Sequence, residues 1–458
     1  MTTGVREMPS AQVPTAPVPA ASTEPRWDLA FIGILGYLIV EYMRLTAQYQ
    51  ILLPLQLGKV VIAISALGLV LSPRVRGGDR SIVRLIDIAF VLLLLGALFS
   101  VLAAKHLDLA WAGYLDLLKW AVIYLLVGRI VTSSWRFRIF IFLFLLLNLK
   151  MAQHAIRYFY AARAYWGDEM VAVRQGAGAG SIGFFGNSAD FGVALCVVWP
   201  VAVMLLFAKP KRIWQLLLLT SSVVFLVAIL VCGSRGAVVG AACVTLAGMV
   251  ASRRKLAAVL MAVLLIPGIV FVLPEASKQR FQSAWHPEGD KTATSRLVFW
   301  KAGIRMFREN PILGVGIKNF PVTRLEEYSE PGETTRAYVP HSIYIEVLSE
   351  LGLAGSIPAL ALVILFFRLN VRTRKHLLAL GAERRRSFEY CLSLGLDLAL
   401  IGYLSSGAFV AVFYYPHLWI LLSLSVGLYT ACCRIQPETM PPEAISPGNT
   451  GQLQMVAP

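Results

Sequence analysis

Residues 294–320 read TSRLVFWKAGIRMFRENPILGVGIKNF, and residues 338–355 read YVPHSIYIEVLSELGLAG. Both stretches belong to the longest polar interval of an otherwise hydrophobic chain. A polar interval between apolar runs predicts a large loop outside the membrane. This loop carries an arginine (Arg296) and a histidine (His341) close to the next apolar run, and ionisable residues at a membrane junction favour a ligand site.

The composition sets the fold class. Hydrophobic residues form 57% of the chain and charged residues 15%, against about 25% charged residues in soluble proteins. Separate apolar runs long enough to cross a bilayer predict an all-α polytopic membrane protein. We predict about 12 transmembrane helices, at 29–45, 50–72, 84–104, 109–128, 138–153, 182–207, 213–231, 236–251, 256–273, 351–368, 388–408 and 414–433.

These spans divide the chain into five parts. We expect a disordered cytosolic tail at 1–27, transmembrane helices 1–9 at 28–273, a large loop outside the membrane at 274–350 that carries the candidate site, transmembrane helices 10–12 at 351–433, and a second disordered cytosolic tail at 434–458. Lysine and arginine are concentrated in the short loops that face the cytoplasm when both termini are cytosolic.

The net charge of +16 does not indicate a nucleic-acid partner. The basic residues lie mostly in short loops between spans, and no basic patch is interleaved with aromatic residues. The six cysteines lie in or beside apolar runs, and no Asp, Glu, His or Cys cluster has metal-ligand spacing. We therefore predict no metal site and no cofactor, and expect membrane lipids as neighbours.

Three residues are the candidates for catalysis. Arg235 lies in the tight turn Cys-Gly-Ser-Arg-Gly-Ala between two apolar runs, whose glycines let the backbone turn and approach a ligand. Arg296 lies in the predicted first turn of an amphipathic helix, Ser295–Asn310, where a bound phosphate would account for a cation. For Arg235 the alternative is an arginine whose side chain extends to the lipid headgroups. For Arg296 the alternative is a solvated surface arginine.

His341 is the third candidate. It begins an amphipathic helix, with Tyr344 on its own face and Glu346 and Glu350 on another. Imidazole takes a proton near neutral pH and can act as a general base toward a hydroxyl. The alternative is a histidine that only caps the helix.

Four further residues are candidates for substrate binding. Arg174 and Arg305 lie in two long outside loops, 154–181 and 274–350, that stay basic against the topological bias. Tyr344 shares a face with His341, and Asn187 begins a span, where capping of the helix is the alternative. We expect the glycines of Pro311–Gly316 to end a helix and shape the loop rather than to cradle phosphate.

Two arginines and a histidine suit transfer from a diphosphate. Guanidinium groups bind phosphate oxygens bidentately and stay charged. In a cavity that excludes water, two of them would neutralise a diphosphate leaving group without a metal ion.

Three motifs resemble the O-antigen ligase and polymerase family. They are Gly-Ser-Arg-Gly-Ala at 233–237, an arginine helix followed by Asn-Pro-x-x-Gly-x-Gly-x-x-Asn-Phe at 310–320, and His-Ser-x-Tyr-x-Glu-x-x-x-Glu-x-Gly at 341–352. The resemblance implies a GT-C-like glycosyltransferase of the bacterial inner membrane, with its active site facing the periplasm. It also implies an undecaprenyl-diphosphate-linked glycan donor, two arginines on the diphosphate (Arg235 and Arg296) and a histidine that activates the acceptor hydroxyl (His341).

The acceptor stays open. The family includes ligases that use the lipid A core, polymerases that extend the glycan, and protein O-oligosaccharyltransferases. Ser342 stands where members often have Asn, and Asn-Ser-Ala-Asp at 187–190 replaces Asn-Pro-Asn, so the subfamily is undetermined. A transporter or flippase for lipid-linked oligosaccharide is the alternative from another class, and it does not need a histidine at the start of a surface helix.

Overall fold

The structure is a computed structural model that describes residues 26–43, 45, 49–71, 81–174, 187–251, 291–329 and 336–435. Every regular element in these ranges is helical. The helices are α1 Leu29–Met43, α2 Leu57–Leu71, α3 Ser81–Leu102, α4 Leu107–Ile130, α5 Ser134–Arg174, α6 Ser188–Leu206, α7 Arg212–Val231, α8 Arg235–Ala251, α9 Lys291–Glu309, α10 Phe320–Thr323, α11 Ile343–Ala379, α12 Phe388–Gly407 and α13 Pro416–Cys432. Short 3₁₀ turns cover Gln50–Leu55 and Ala382–Arg386, and a π turn covers Arg324–Tyr328.

The prediction of a polytopic α-helical membrane protein is confirmed. Among the described residues, eight helical segments are long and apolar enough to cross a membrane, judged by length and composition. Three shorter apolar helices, α1, α8 and α13, fall where spans are also predicted. The predicted span 256–273 lies outside the described residues, as does most of each terminal tail, so the count of 12 stays a prediction.

Two helices are longer than the spans predicted for them. Helix α5 continues to Arg174, so residues 154–174 of the predicted loop 154–181 are helical and that loop assignment is wrong there. Helix α11 begins at Ile343 and ends at Ala379, although the predicted span is only 351–368. Charged residues end an apolar run, but Ala, Arg, Leu and Met keep a high helix propensity beyond it.

Helix α12 lies at the centre of the bundle and packs against α6, α8, α11 and α13. Small residues let these helices approach closely, as in many membrane helix pairs. A Cβ at Gly240 of α8 would lie 1.8 Å from Ser406 Oγ, and one at Gly402 would lie 2.7 Å from the Cys196 carbonyl oxygen. The centre of this interface therefore has no room for larger side chains.

Helix α11 breaks at Gly352, and the loop occupies the break. Gly352 has φ +56°, and a Cβ there would lie 2.5 Å from the Ile312 carbonyl oxygen. The backbone N–H of Leu353 donates to the Pro311 carbonyl at 2.9 Å, and that of Val315 donates to the Ser349 carbonyl at 2.9 Å. The Pro311–Gly316 turn thus satisfies backbone groups that the break releases.

A second contact fixes the loop to the connection between α3 and α4. The side-chain oxygen of Asn319 accepts the backbone N–H of His106 at 3.0 Å, and its nitrogen donates to the His106 carbonyl at 3.1 Å. Lys318 pairs with Asp116 at 2.6 Å. The loop that carries the candidate site is therefore anchored on two sides of the bundle.

Candidate functional site

Arg235 begins α8 immediately after the turn Cys232–Ser234, as the sequence predicts for a tight connection. Its side chain is partly exposed. A Cβ at the neighbouring Gly236 would lie 3.1 Å from Phe409 Cβ. The close approach expected of Gly236 is thus made to the chain after α12, and the glycine serves packing there.

Arg296 lies in the second turn of α9, because the helix begins at Lys291. The expected start at Ser295, and with it the placement of Arg296 in the first turn, is wrong. The preceding residues Lys-Thr-Ala-Thr extend the helix, so a phosphate at the helix N-terminus is not needed to account for the arginine. The apolar face of α9 packs on its own loop through Phe299, Ala302 and Met306, against Val315, Phe320 and Tyr328.

His341 lies just before α11, with Ser342 as the N-cap residue. Its backbone is in the left-handed region, with φ +49°, which is uncommon for a residue other than glycine. The centre of its ring is 6.0 Å from that of Phe299 and 6.4 Å from that of Tyr338. Trp300 Nε1 donates to the Pro340 carbonyl at 3.1 Å, so α9 holds the segment that carries the histidine.

The structure brings His341 and Arg296 together. Burial lowers the pKa of His341 to about 4, and the positive charge of Arg296 contributes to the same shift. The ring is therefore neutral at pH 7. A neutral imidazole is the form that can accept a proton from a hydroxyl.

Arg235 and His341 lie at the same end of α12. The α8 start reaches Phe409 through Gly236, whereas a Cβ at Gly407 would lie 3.1 Å from Ile343 Cγ2, two residues after the histidine. Tyr344 Oη donates to the Leu404 carbonyl at 3.0 Å. The three predicted catalytic residues therefore belong to segments that converge on the end of α12.

The four predicted substrate-binding residues have different surroundings. Tyr344 is 48% exposed beside His341. Asn187 caps α6, since its side chain accepts the backbone N–H groups of Ala189 and Asp190, as the alternative prediction has it. Arg174 is the last residue of α5, and its side chain lies outside the described part of the chain.

Arg305 lies away from the histidine. It follows Arg296 by about 2.5 helical turns, which places the two on opposite sides of α9. Its guanidinium carbon is 5.3 Å from the centre of the Tyr328 ring. A role for Arg305 in substrate binding stays a prediction.

Arg324 is a buried arginine that is not among the residues predicted from the sequence. Its side chain is fully buried, its guanidinium carbon is 4.9 Å from the centre of the Phe299 ring, and Nη2 donates to the Arg336 carbonyl at 2.9 Å. It holds the segment before His341 against α9. Arg324 lies among ordinary loop residues with no motif, so its burial depends on contacts that only the fold supplies.

Glu346 and Glu350 are also buried, 6% and 2% exposed. Their spacing is visible in the sequence, but neither residue is among the predicted site residues. Two carboxylates in an apolar helix are costly, and that cost is the signal that would have marked them.

An apolar cavity of about 320 Å³ lies between α11, α12 and α13. Its lining residues include Tyr344, Val347, Leu348, Leu360, Phe366 and Trp419. The cavity begins one helical turn from His341, and its walls offer almost no hydrogen-bonding groups. It can hold a hydrocarbon chain better than a polar molecule.

Within the described ranges, no three His, Cys, Asp or Glu side chains converge on a point that could hold a metal ion. Fold and site together define a polytopic helical membrane protein with an arginine- and histidine-bearing site at one end of its bundle.

Residues 220–360 match the protein family described as O-antigen ligase. The matched segment contains Arg235, Arg296 and His341, and it confirms the resemblance to the O-antigen ligase and polymerase family. It supports a membrane enzyme that transfers glycans in the manner of that family. No curated protein sequence matches the chain.

Proposed function

We propose that this protein transfers a glycan from an undecaprenyl-diphosphate carrier to an acceptor hydroxyl at the periplasmic face of the bacterial inner membrane. Arg235 and Arg296 bind the diphosphate and His341 acts as the base, without a metal ion. The single observation that supports this most is the juxtaposition of Arg296 with a half-buried, neutral His341 inside the matched segment.

The chemistry follows from these groups. The imidazole takes the proton of the acceptor hydroxyl while that oxygen forms a bond to the anomeric carbon of the donor sugar. The bond from the anomeric carbon to the diphosphate oxygen breaks, and the leaving diphosphate keeps the electron pair. Guanidinium groups stabilise the charge that develops on it. The proton then passes from the imidazole to solvent, which restores the base.

A pKa of about 4 makes His341 a weak base in the free protein. Arg296 is one of the two causes of that low pKa. A bound diphosphate would offset the positive charge of Arg296 and so raise the pKa of the histidine toward its ordinary value. Donor binding would thus make the imidazole a better base when the acceptor is present.

The cavity of α11–α13 supports the lipid part of the donor. It is lined almost entirely by apolar side chains from α11, α12 and α13, and Tyr344 is one of its lining residues. A polyprenyl chain in this cavity would place its diphosphate near the start of α11. Tyr344 would then contact the first lipid units or the donor sugar.

The test uses a bacterial host that lacks its own copy of the gene. Wild type and the variants His341→Ala, Arg235→Ala and Arg296→Ala are expressed to equal levels in membranes, and the glycans are separated on a gel. We expect each variant to insert, to lose the product and to accumulate the lipid-linked donor.

The pattern of products also identifies the acceptor. Loss of a capped lipid acceptor indicates a ligase, single repeats indicate a polymerase, and loss of glycosylated protein indicates an O-oligosaccharyltransferase. Wild-type product in all three variants would contradict the proposed site and favour a transporter or flippase.

A further inference from the structure

Glu350 receives hydrogen bonds from two separate parts of the chain. Its Oε2 atom accepts the backbone N–H of Lys318 at 2.8 Å and the hydroxyl of Tyr414 at 2.8 Å, and Oε1 accepts the backbone N–H of Phe320 at 3.4 Å. The first and third donors belong to the large loop, and the second belongs to the connection between α12 and α13. One buried carboxylate thus joins the loop to this connection.

The backbone of Glu350 extends the junction. Its carbonyl oxygen accepts the hydroxyl of Ser100 at 2.7 Å and the backbone N–H of Gly316 at 3.1 Å. Ser100 belongs to α3. Helix α3, the loop and the α12–α13 connection therefore all meet at one residue of α11.

Glu346 lies one turn earlier on the same side of α11. Its Oε2 atom accepts the backbone N–H of Phe413 at 2.9 Å. The connection Ala408–Tyr415 is thus bonded to both glutamates, through Phe413 and Tyr414. A third carboxylate, Asp190 of α6, accepts the hydroxyl of Tyr415 at 2.6 Å.

The burial of these glutamates is expensive. No ion pair reaches either carboxylate within the part of the chain that the structure describes; the nearby Lys318 ammonium pairs with Asp116 instead. Desolvation of an acidic side chain costs several kcal/mol in general, and a well-packed apolar residue is often the more stable choice. Their presence here is therefore better accounted for by the geometry that they impose.

The hydrogen-bond partners of the two glutamates also contact the segments that carry His341 and Arg235. Phe320, bonded to Glu350, packs with Phe299, whose ring faces His341. The connection bonded to Glu346 includes Phe409, against which Gly236 packs beside Arg235. Glu350 thus fixes the part of the loop that packs beside His341, and Glu346 fixes the connection that packs beside Arg235.

We propose that Glu346 and Glu350 are positioning residues, which hold the loop and the α12–α13 connection so that His341 and Arg235 face the same substrate. This inference rests on the proposed function. It explains how the segments that carry His341 and Arg235, which are distant in sequence, are aligned.

The experiment compares three full-length variants in lipid vesicles: Glu350→Gln, Glu346→Gln and the matched control Asp397→Asn. Asp397 is a carboxylate with a 13% exposed side chain that also accepts hydrogen bonds, and it lies toward the other end of α11. The kcat, the KM for the lipid-linked donor and the thermal midpoint are measured for each. A misplaced catalytic group reduces turnover without loss of ground-state binding.

We expect Glu350→Gln and Glu346→Gln to lower kcat per folded molecule by about tenfold or more, with the donor KM changed by less than about threefold. Asp397→Asn should lower the thermal midpoint and leave kcat within about twofold. If both glutamate variants lose thermal stability but keep kcat, as the control should, their role is structural only and the inference is wrong.

Tyr414→Phe covers the case in which a glutamate variant does not fold. It removes one donor and leaves the carboxylate in place, and we expect a fall in kcat of about threefold to tenfold. An unchanged kcat in Tyr414→Phe would overturn the inference in that case. His341→Ala separates the two proposals: if it is inactive while the glutamate variants keep full kcat, only the positioning role fails, and if it transfers normally, the proposed function fails.

Discussion

The acidic groups at the two ends of α11 have different kinds of partners. Toward the C-terminal end, Asp397 of α12 pairs with Arg374 at 2.6 Å and accepts a hydrogen bond from Asn370 at 2.8 Å. At the N-terminal end, Glu346 and Glu350 accept hydrogen bonds, among the residues that the structure describes, only from backbone N–H groups and a tyrosine hydroxyl. One end balances its charge locally, and the other does not.

We interpret the C-terminal end of α11 as an arrangement that serves stability and the N-terminal end as one that serves function. An ion pair with additional hydrogen bonds fixes two helices and leaves little net field. Acidic groups bound to backbone N–H groups fix the shape of a loop, and this loop carries Arg296 and His341 of the candidate site. Arrangements that cost stability are typical of functional sites.

The largest expected effect comes from His341, which lies at the N-terminal end of α11. His341→Ala should lower the transfer rate by about a thousandfold, since general-base catalysis contributes roughly 10²–10⁴. The rate is measured with purified protein in vesicles that contain the lipid-linked donor. His106→Ala is the control, because His106 lies in the same region but bonds to Glu326 at 2.9 Å; a comparable loss there would show that any loop histidine matters.

The second effect distinguishes two arginines of one helix. Arg296→Lys should raise the donor KM and lower kcat/KM by about a hundredfold, because an ammonium group does not bind a phosphate bidentately. Arg305→Lys should have a much smaller effect, since Arg305 lies on the opposite side of α9 against Tyr328. Steady-state kinetics measure kcat/KM for both variants. Equal losses of kcat/KM would mean that the donor contacts both faces of α9.

The third effect concerns the break in α11. Gly352→Ala should lower the free energy of unfolding by about 2 kcal/mol or more, because a Cβ at this φ is strained and would meet the Ile312 carbonyl. Gly248→Ala in α8 is the control, since its Cβ would have only an ordinary contact, 3.8 Å from Leu398 Cδ1. Thermal unfolding in detergent measures both, and equal midpoints would mean that the loop does not hold the break as the structure shows.

The smallest effect is a shift in pH dependence. Burial and then Arg296 lower the pKa of His341 to about 4, so kcat/KM should hold between pH 6.5 and that value and fall as the pH drops through it. Arg296→Gln removes one of the two causes and should move this acid limb upward. A wild-type limb near pH 6.5, the pKa of an ordinary histidine, would contradict the burial of the ring.

The same pKa has a consequence for stability. Between about pH 4 and pH 6.5 the unfolded chain holds a proton on His341 and the folded protein does not. The contribution of this group to the free energy of unfolding therefore rises with pH across that window.

Much of the fold is visible in local patterns. Apolar runs predict the membrane helices because each run reflects burial in lipid or in the bundle, and the turn before Arg235 follows from its glycine and the short polar interval. The helices α5 and α9 are mispredicted at their ends, where charge and helix propensity give different boundaries. The three catalytic candidates also come from local motifs and the family resemblance.

The contacts that align the site depend on distant partners. Glu350 and Tyr414 are 64 positions apart, and Arg324 is buried by Phe299 across the loop. No periodicity or spacing encodes such pairs in a single sequence. The spacing of Glu346 and Glu350 marks two buried carboxylates, but their function becomes visible only with the donors from α10 and the α12–α13 connection.

The central claim is that His341 performs the transfer step while arginines hold the donor. The most direct measurement is donor binding and transfer, followed in parallel for purified His341→Ala and Arg296→Ala in vesicles with labelled lipid-linked glycan. We predict that His341→Ala binds the donor with near wild-type affinity and transfers the glycan about a thousandfold more slowly, and that Arg296→Ala binds the donor weakly. Transfer at the wild-type rate by His341→Ala would contradict the account.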